Sequence, residues 1–453
     1  MQRVLVCPFG NVNLLVTLCE NLRIASHGHY APTYLCFTRY EREIYRTHRL
    51  PHVYVPPGEA GKWLPEQMLD EAVRYTRALA ERHLQDPLRG TLESAANHYA
   101  KRIACAMETG SFRDVLLFNG RHNLFVSVLD QVSDLLGCRK LVFEQGLFRP
   151  DYLTIDGVGV NARNSVDSLE GLLDPEPYAY QRRALYRDLV AQLPLAASQT
   201  YDYKRSVTAL RLSLAYAATK LEPKWRLFLR SAENRDLLEA ACLPGGKKVD
   251  QTRLLPVIDN SREYDYMILC PLQVETDTQV VLHSPWIKTM QALVDHVGAA
   301  VQVFNQGSTR KACVVFKTHP METRPCAVHH PDAFLIHEST VPDILRQRCD
   351  LVITINSTAG IEAIEARKPV ITLGDAFYNF TGIVHSHCSA AAQLPQQIAE
   401  GLEHPAIDLT LQQRFIDALK RKYQVPLQSR PEAPPQAPPL VMPVPRESSP
   451  VGV

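Results

Sequence analysis

Short, continuously apolar runs alternate with longer amphipathic stretches along most of this chain. Arg3–Cys7 is predicted as a strand, Pro8-Phe9-Gly10 as a turn and Asn13–Ser26 as a helix, with a second strand near Thr33–Phe37. Asp114–Asn119 is predicted as a strand, Leu124–Leu136 as a helix and Lys140–Glu144 as a strand. Such switching between runs of period two and period 3.6 predicts βαβ units and a mostly parallel sheet.

From Pro175 to Ala241 the pattern is helical, and Leu243-Pro-Gly-Gly-Lys-Lys breaks it as a linker would. The alternation then restarts. Strands are expected at Tyr264–Cys270, Ala312–Thr318, Leu351–Ile355 and Pro369–Leu373, and helices at Trp286–Val297, Val341–Gln347 and Ala359–Ala366. This predicts an α/β protein with two Rossmann-like domains; one large doubly wound sheet is the alternative. The expected divisions are 1–174, an N-terminal Rossmann-like domain; 175–260, helical insertion and linker; 261–427, a second Rossmann-like domain; and 428–453, a tail. From Gln428 onward proline and serine dominate, which predicts a disordered, locally polyproline II segment.

Composition narrows the class. Of 453 residues, 45% are hydrophobic and 21% charged, ordinary for a globular protein, and the net charge of +1 gives no global field towards nucleic acid. Eleven cysteines without a CxxC pair argue for a reducing compartment and against structural zinc. The apolar run at the N-terminus is too short for a signal segment, and no stretch approaches the ~20 apolar residues of a membrane span. A cytoplasmic protein is expected, at most lying on a membrane. Lys204–Arg230 holds seven basic residues and one acid, a local balance of +6, with Trp225 and Leu227-Phe-Leu229 as apolar partners. It reads equally as a basic face for the anionic inner membrane leaflet and as a packed helical insertion.

In open α/β sheets ligands bind beyond the carboxyl ends of the strands, and four predicted strand exits carry useful chemistry. They are Glu144-Gln-Gly-Leu-Phe-Arg149, the run from Pro271 through Gln273 to Asp277, His319-Pro320, and Asn356-Ser357-Thr358. The last opens a helix and suits a phosphate, although Ser, Thr and Asn are also ordinary caps. His319, read at a neighbouring strand exit, would serve the same phosphate. Glu144 ends an apolar strand, where burial raises a carboxyl into a useful range; an ion pair with Arg149 or Arg163 is the bland alternative. Asp277 is a candidate second carboxylate or a solvated turn residue. No Walker A, HExxH, GxSxG or zinc-deaminase signature is present, and no metal site is expected.

These motifs, in this order, resemble the capsule polysaccharide biosynthesis family, and within it the KpsS/KpsC-type bacterial β-Kdo glycosyltransferases. The matching residues are Phe143-Glu-Gln-Gly-Leu-Phe-Arg-Pro-Asp-Tyr-Leu-Thr-Ile with Gly159-Val-Asn161, then Pro271–Asp277, Lys317-Thr-His-Pro320 and Thr354-Ile-Asn-Ser-Thr-Ala-Gly-Ile-Glu362. Lys368-Pro-Val, Leu373-Gly374, Phe377-Tyr378 and Thr381-Gly382 continue it. The Arg-Pro-Asp and Gly-Val-Asn details are closer to the KpsS type. The resemblance implies a glycosyltransferase-B-like fold and transfer of Kdo from CMP-Kdo to a glycerophospholipid acceptor such as lysophosphatidylglycerol, with no cofactor or metal, within a capsule biosynthesis and export complex. It implies His319, Ser357 and Thr358 on phosphate, Glu362 on ribose or base, and Gln273, Pro320 and Asn356 around the nucleotide sugar. Glu144 and Asp277, with His319, would be catalytic; Gln145, Arg149 and Asn161 would lie on the acceptor side. KpsC-type members carry an acid after the glutamate where this chain has Gln145, so a double displacement through that position does not carry over. Other CMP- or CDP-linked transfer, of sialic acid or glycerophosphate, and a non-catalytic scaffold are the competing readings.

Overall fold

A computed structural model describes residues 1–9, 12–84, 89–118, 123–193, 203, 254–321, 326–337 and 340–427. The linker at 243–248, the basic stretch 204–230, most of the expected helical insertion and the tail 428–453 lie outside the described residues.

Two separate sheets form, as the restart of the pattern predicts. The first contains β1 (Gln2–Cys7), β2 (Tyr30–Cys36), β3 (His52–Tyr54), β4 (Asp114–Phe118), β5 (Arg139–Gln145) and β6 (Tyr152–Asp156). The second contains β7 (Tyr266–Pro271), β8 (Ala312–Lys317), β9 (Ala333–Ile336), β10 (Leu351–Thr354), β11 (Val370–Thr372) and β12 (Ser386–His387). A last strand, β13 (Gln424–Pro426), returns to the first sheet. The orders are β13-β6-β5-β4-β1-β2-β3 and β12-β11-β10-β7-β8-β9. The second sheet is parallel throughout; in the first, β6 runs antiparallel to β5 and β13 antiparallel to β6. Each sheet is doubly wound, and the second reverses direction between β7 and β10, where such folds open a crevice.

The strands form because they are covered on both faces. Val4–Cys7, Val115–Phe118, Met267–Cys270, Val314–Phe316 and Leu351–Ile353 are all buried, with helices packed on either side. Continuous apolar runs are what a two-sided parallel sheet demands. Capping sets several helix starts. Thr289 Oγ1 accepts from Ala292 N at 3.1 Å, so the helix expected from Trp286 begins at Met290 and runs on to Gly307. Asn123 caps Leu124–Leu135 in the same way, 2.8 Å from Val126 N.

Two expected boundaries move. Helix Ala184–Ala191, placed in the insertion, buries Leu185, Tyr186 and Leu189 in the core of the first sheet, and Arg183 Nη2 donates to Lys140 O at 2.8 Å. Gln424–Pro426, placed in the second domain, pairs with β6 of the first. The buried Gln424 side chain fastens that return, accepting from Leu147 N at 2.8 Å and donating to Thr154 Oγ1 at 2.9 Å. The halves meet a second time where Tyr75, Leu79 and Ala80 of helix Glu66–Leu84 pack on Val281, and Tyr75 donates its hydroxyl to Thr276 O at 2.7 Å.

Candidate active site

The crevice of the second sheet is built by two amides. Gln273, just beyond β7, and Asn356, just beyond β10, are each 7% exposed. Gln273 Nε2 donates to Asn356 Oδ1 at 3.1 Å, while Asn356 Nδ2 donates to Gln279 O and His283 O, each at 3.0 Å. Both side chains are thereby committed to joining the strand ends to helix Thr278–His283. They frame the crevice rather than face it.

At the start of helix Ala359–Glu365 the two hydroxyls divide their work. Ser357 Oγ accepts from Ala359 N at 3.2 Å, whereas the Thr358 side chain makes no capping bond. Tyr378 donates its hydroxyl to Ser357 O at 2.6 Å and presses on Gly360, where a Cβ would come within 2.3 Å of that hydroxyl. His319 is half-buried beyond β8, its Nδ1 accepting from Met321 N at 3.1 Å, which leaves Nε2 to carry the proton of the neutral ring. Pro320 is exposed in the same turn. The exits bearing His319 and Thr358 are not adjacent, as had been expected: β7 lies between β8 and β10. The two side chains flank the crevice from either side of that strand.

The carboxylates come from both domains. Glu144, near the end of β5, is half-buried, and its Oε2 accepts from Asn161 Nδ2 at 2.9 Å. Burial pushes its carboxyl up to about 7; the Asp277 charge adds to the rise, while Asn161 and Arg149 oppose it. Asn161 sits at φ 55°, a left-handed conformation that asparagine tolerates. The loop that holds it there is cradled by buried Asp156, which accepts from Val158 N (2.7 Å), Gly159 N (3.2 Å), Ser165 N (2.8 Å) and Ser165 Oγ (2.8 Å). Asp277 is exposed and caps helix Thr278–His283, its Oδ1 accepting from Gln279 N at 2.8 Å. It is therefore both the turn residue of the bland reading and a charge that Glu144 feels across the cleft. Gln145, next to Glu144, is exposed on the opposite face of the strand.

Arg149 joins the halves electrostatically. Its Nε donates to Gly146 O at 3.2 Å, and its charge pulls down the carboxyls of both Glu144 and Glu362. Burial nonetheless leaves Glu362 raised. Arg163 does not pair with Glu144; it pairs with Glu71.

Several site residues escaped the sequence reading. Lys317 ends β8 and is 6% exposed; a lone charge closing an apolar strand was its signal. Glu71, Arg163 and His283, drawn from three distant segments, line a cavity of about 350 Å³ with Tyr75, Asn161 and Leu282. Burial and the neighbouring Arg163 charge push His283 down to about 4. The cavity lies between the domains and shares Asn161 with Glu144.

Residues 114–417 match the family described as capsule polysaccharide biosynthesis protein. The capsule polysaccharide export protein KpsS of Escherichia coli is 26% identical over 269 residues, 55% of this chain and 64% of that protein. Protein FixF of Sinorhizobium fredii is 29% identical over 304 residues, 64% of this chain and 58% of that one. The capsule polysaccharide modification protein LipB of Neisseria meningitidis is 26% identical over 275 residues, 55% of this chain and 60% of LipB. The chain thus spans less than two thirds of the length of these relatives. Among solved structures, the β-Kdo 2,4 transferase of Thermosulfurimonas dismutans KpsC aligns with 87% of this chain and 91% of its own at 16% identity, with a TM-score of 0.37. The Streptomyces nogalater glycosyltransferase SnogD aligns over 93% and 95% at 12% identity, with a TM-score of 0.33. Scores this low add nothing to the two-sheet architecture already described.

Proposed function

Because this chain belongs to the capsule polysaccharide biosynthesis protein family, we propose that it is a glycosyltransferase that moves Kdo from CMP-Kdo to a glycerophospholipid-based acceptor. The observation that carries this reading is that Glu144 and Asp277, from different domains, lie near enough for one charge to act on the other: Glu144 is half-buried and raised to about 7, chiefly by burial, and Asp277 is exposed. Paired carboxyl groups in unlike environments are the ordinary equipment of glycosyl transfer.

In this proposal the CMP phosphate lies between His319 and Thr358, Glu362 takes ribose hydroxyls, and the sugar points towards Asp277. The Asp277 carboxylate bonds to the anomeric carbon as the carbon–oxygen bond to phosphate breaks, its electron pair leaving on CMP. An acceptor hydroxyl then attacks the same carbon, gives its proton to Glu144 and releases Asp277 as carboxylate. Two inversions retain the β configuration. Gln145 has no carboxylate and lies on the other face of β5, so Asp277 takes the nucleophilic role. The cavity beside Asn161 receives the acceptor.

Kdo chemistry, the lipid acceptor and action at the inner face of the cytoplasmic membrane all belong to this proposal and extend the motif resemblance drawn from the sequence. The test is release of CMP from a donor panel, with lysophosphatidylglycerol as acceptor. Turnover of CMP-Kdo in preference to CMP-sialic acid and CDP-glycerol is expected. Preference for either competitor replaces the donor assignment, and turnover of none returns the chain to a scaffold role.

A further inference from the structure

We propose that the ammonium of Lys317 is an anion-binding group of this site, engaging the phosphate of the nucleotide donor. The inference rests on the nucleotide reading above and adds a residue to it.

Position comes first. Lys317 is the last residue of β8, in register with Pro271 of β7, and its carbonyl accepts from Leu272 N at 2.8 Å. It therefore stands level with the strand ends from which Gln273 and His319 depart. Its charge is felt by Glu362, on the helix that Ser357 and Thr358 open, and Glu362 feels Arg149 from the other domain. These neighbours place the ammonium at the crevice, between β8 and that helix.

Its bonding comes second. An ammonium has three donors. The Nζ of Lys317 donates to Thr318 O at 2.7 Å, and among the described residues no carboxylate lies within ion-pair distance of it. Glu362 is near enough to be felt and too far to pair. A cation 94% removed from solvent, with most of its hydrogen-bonding capacity unspent, is costly to fold around. That cost is reduced when an anion fills the crevice, and burial strengthens the attraction. A phosphate oxygen meets both needs, and a phosphodiester dissociating to CMP gains charge at that point.

Calorimetric titration of the full chain with CMP, cytidine and inorganic phosphate tests this on wild type, Lys317→Met and Lys317→Arg. Wild type is expected to prefer CMP to cytidine. Lys317→Met should lose about ten- to hundred-fold in CMP affinity, leave cytidine unchanged, and melt no lower than wild type without ligand. Lys317→Arg should keep the preference. Should the methionine variant fail to fold, Lys317→Gln removes the charge while preserving a donor to Thr318 O. If a neutral variant binds CMP as tightly as wild type, Lys317 is a structural cation and the inference falls, with the donor reading untouched. If wild type binds inorganic phosphate through Lys317 as tightly as CMP, the anion-binding role stands and the cytidine donor falls. Equal binding of CMP and cytidine by wild type overturns the inference.

Discussion

At the residue scale, Glu144 carries the heaviest chemical assignment, and its titration is the most informative handle on it. Its carboxyl is raised to about 7 by burial, with Asp277 adding and Asn161 and Arg149 opposing. As a base it must be ionised, so turnover is expected to rise as pH rises through about 7. Asn161→Ala removes a donor that favours the ionised form, so this limb should move to higher pH; an unmoved limb would show that the 2.9 Å bond is not formed in solution. Stability runs the opposite way. A carboxyl raised on folding stabilises the fold while protonated, and that contribution is lost as pH climbs through its folded value. Wild type should therefore lose more melting temperature between about pH 5 and 8 than Glu144→Gln does. Coincident melting curves across that range would mean that the carboxyl is not perturbed.

At the element scale, helix Thr278–His283 separates structure from charge. Asparagine caps as well as aspartate, so Asp277→Asn should keep the melting temperature and lose most turnover, whereas Asp277→Ala should also cost about 1 kcal/mol in stability. Equal activity in wild type and Asp277→Asn would leave the residue as a cap alone. The strand ends that build this site were legible because β4, β5, β7, β8 and β10 are covered on both faces and read as unbroken apolar runs. Glu144 and Asp277 could be nominated as residues that follow such runs. Their proximity could not, since it depends on how the two domains meet. Gln273 and Asn356 were nominated from position alone, and position cannot show that an amide is already spent on its neighbours. Strands β6 and β13 escaped because neither is an unbroken apolar run: β6 reads Tyr-Leu-Thr-Ile-Asp and β13 Gln-Val-Pro. The helices Glu66–Leu84 and Arg89–Gly110 also went unread, though they cover one face of the first sheet.

At the scale of the whole molecule, the two domains are held by the Tyr75–Val281 contact and by the return of Gln424–Pro426 to the first sheet. Gln424→Ala leaves the buried Leu147 N–H without its partner, which should cost about 1–3 kcal/mol. The strand also anchors the segment carrying Glu144 and Arg149, so turnover should fall with stability. Ending the chain after Leu427 removes none of these bonds, and a thermal melt should show no change. Both domains matter because the account places the donor on one and the proton acceptor on the other. The measurement that tests this most directly is mass analysis of lysophosphatidylglycerol after incubation with CMP-Kdo and wild-type protein, Glu144→Gln or Asp277→Asn. The account predicts a lipid heavier by one Kdo residue with wild type and essentially none with either variant, although both still bind CMP. Absence of that product with wild type, or its undiminished formation by either variant, would contradict it.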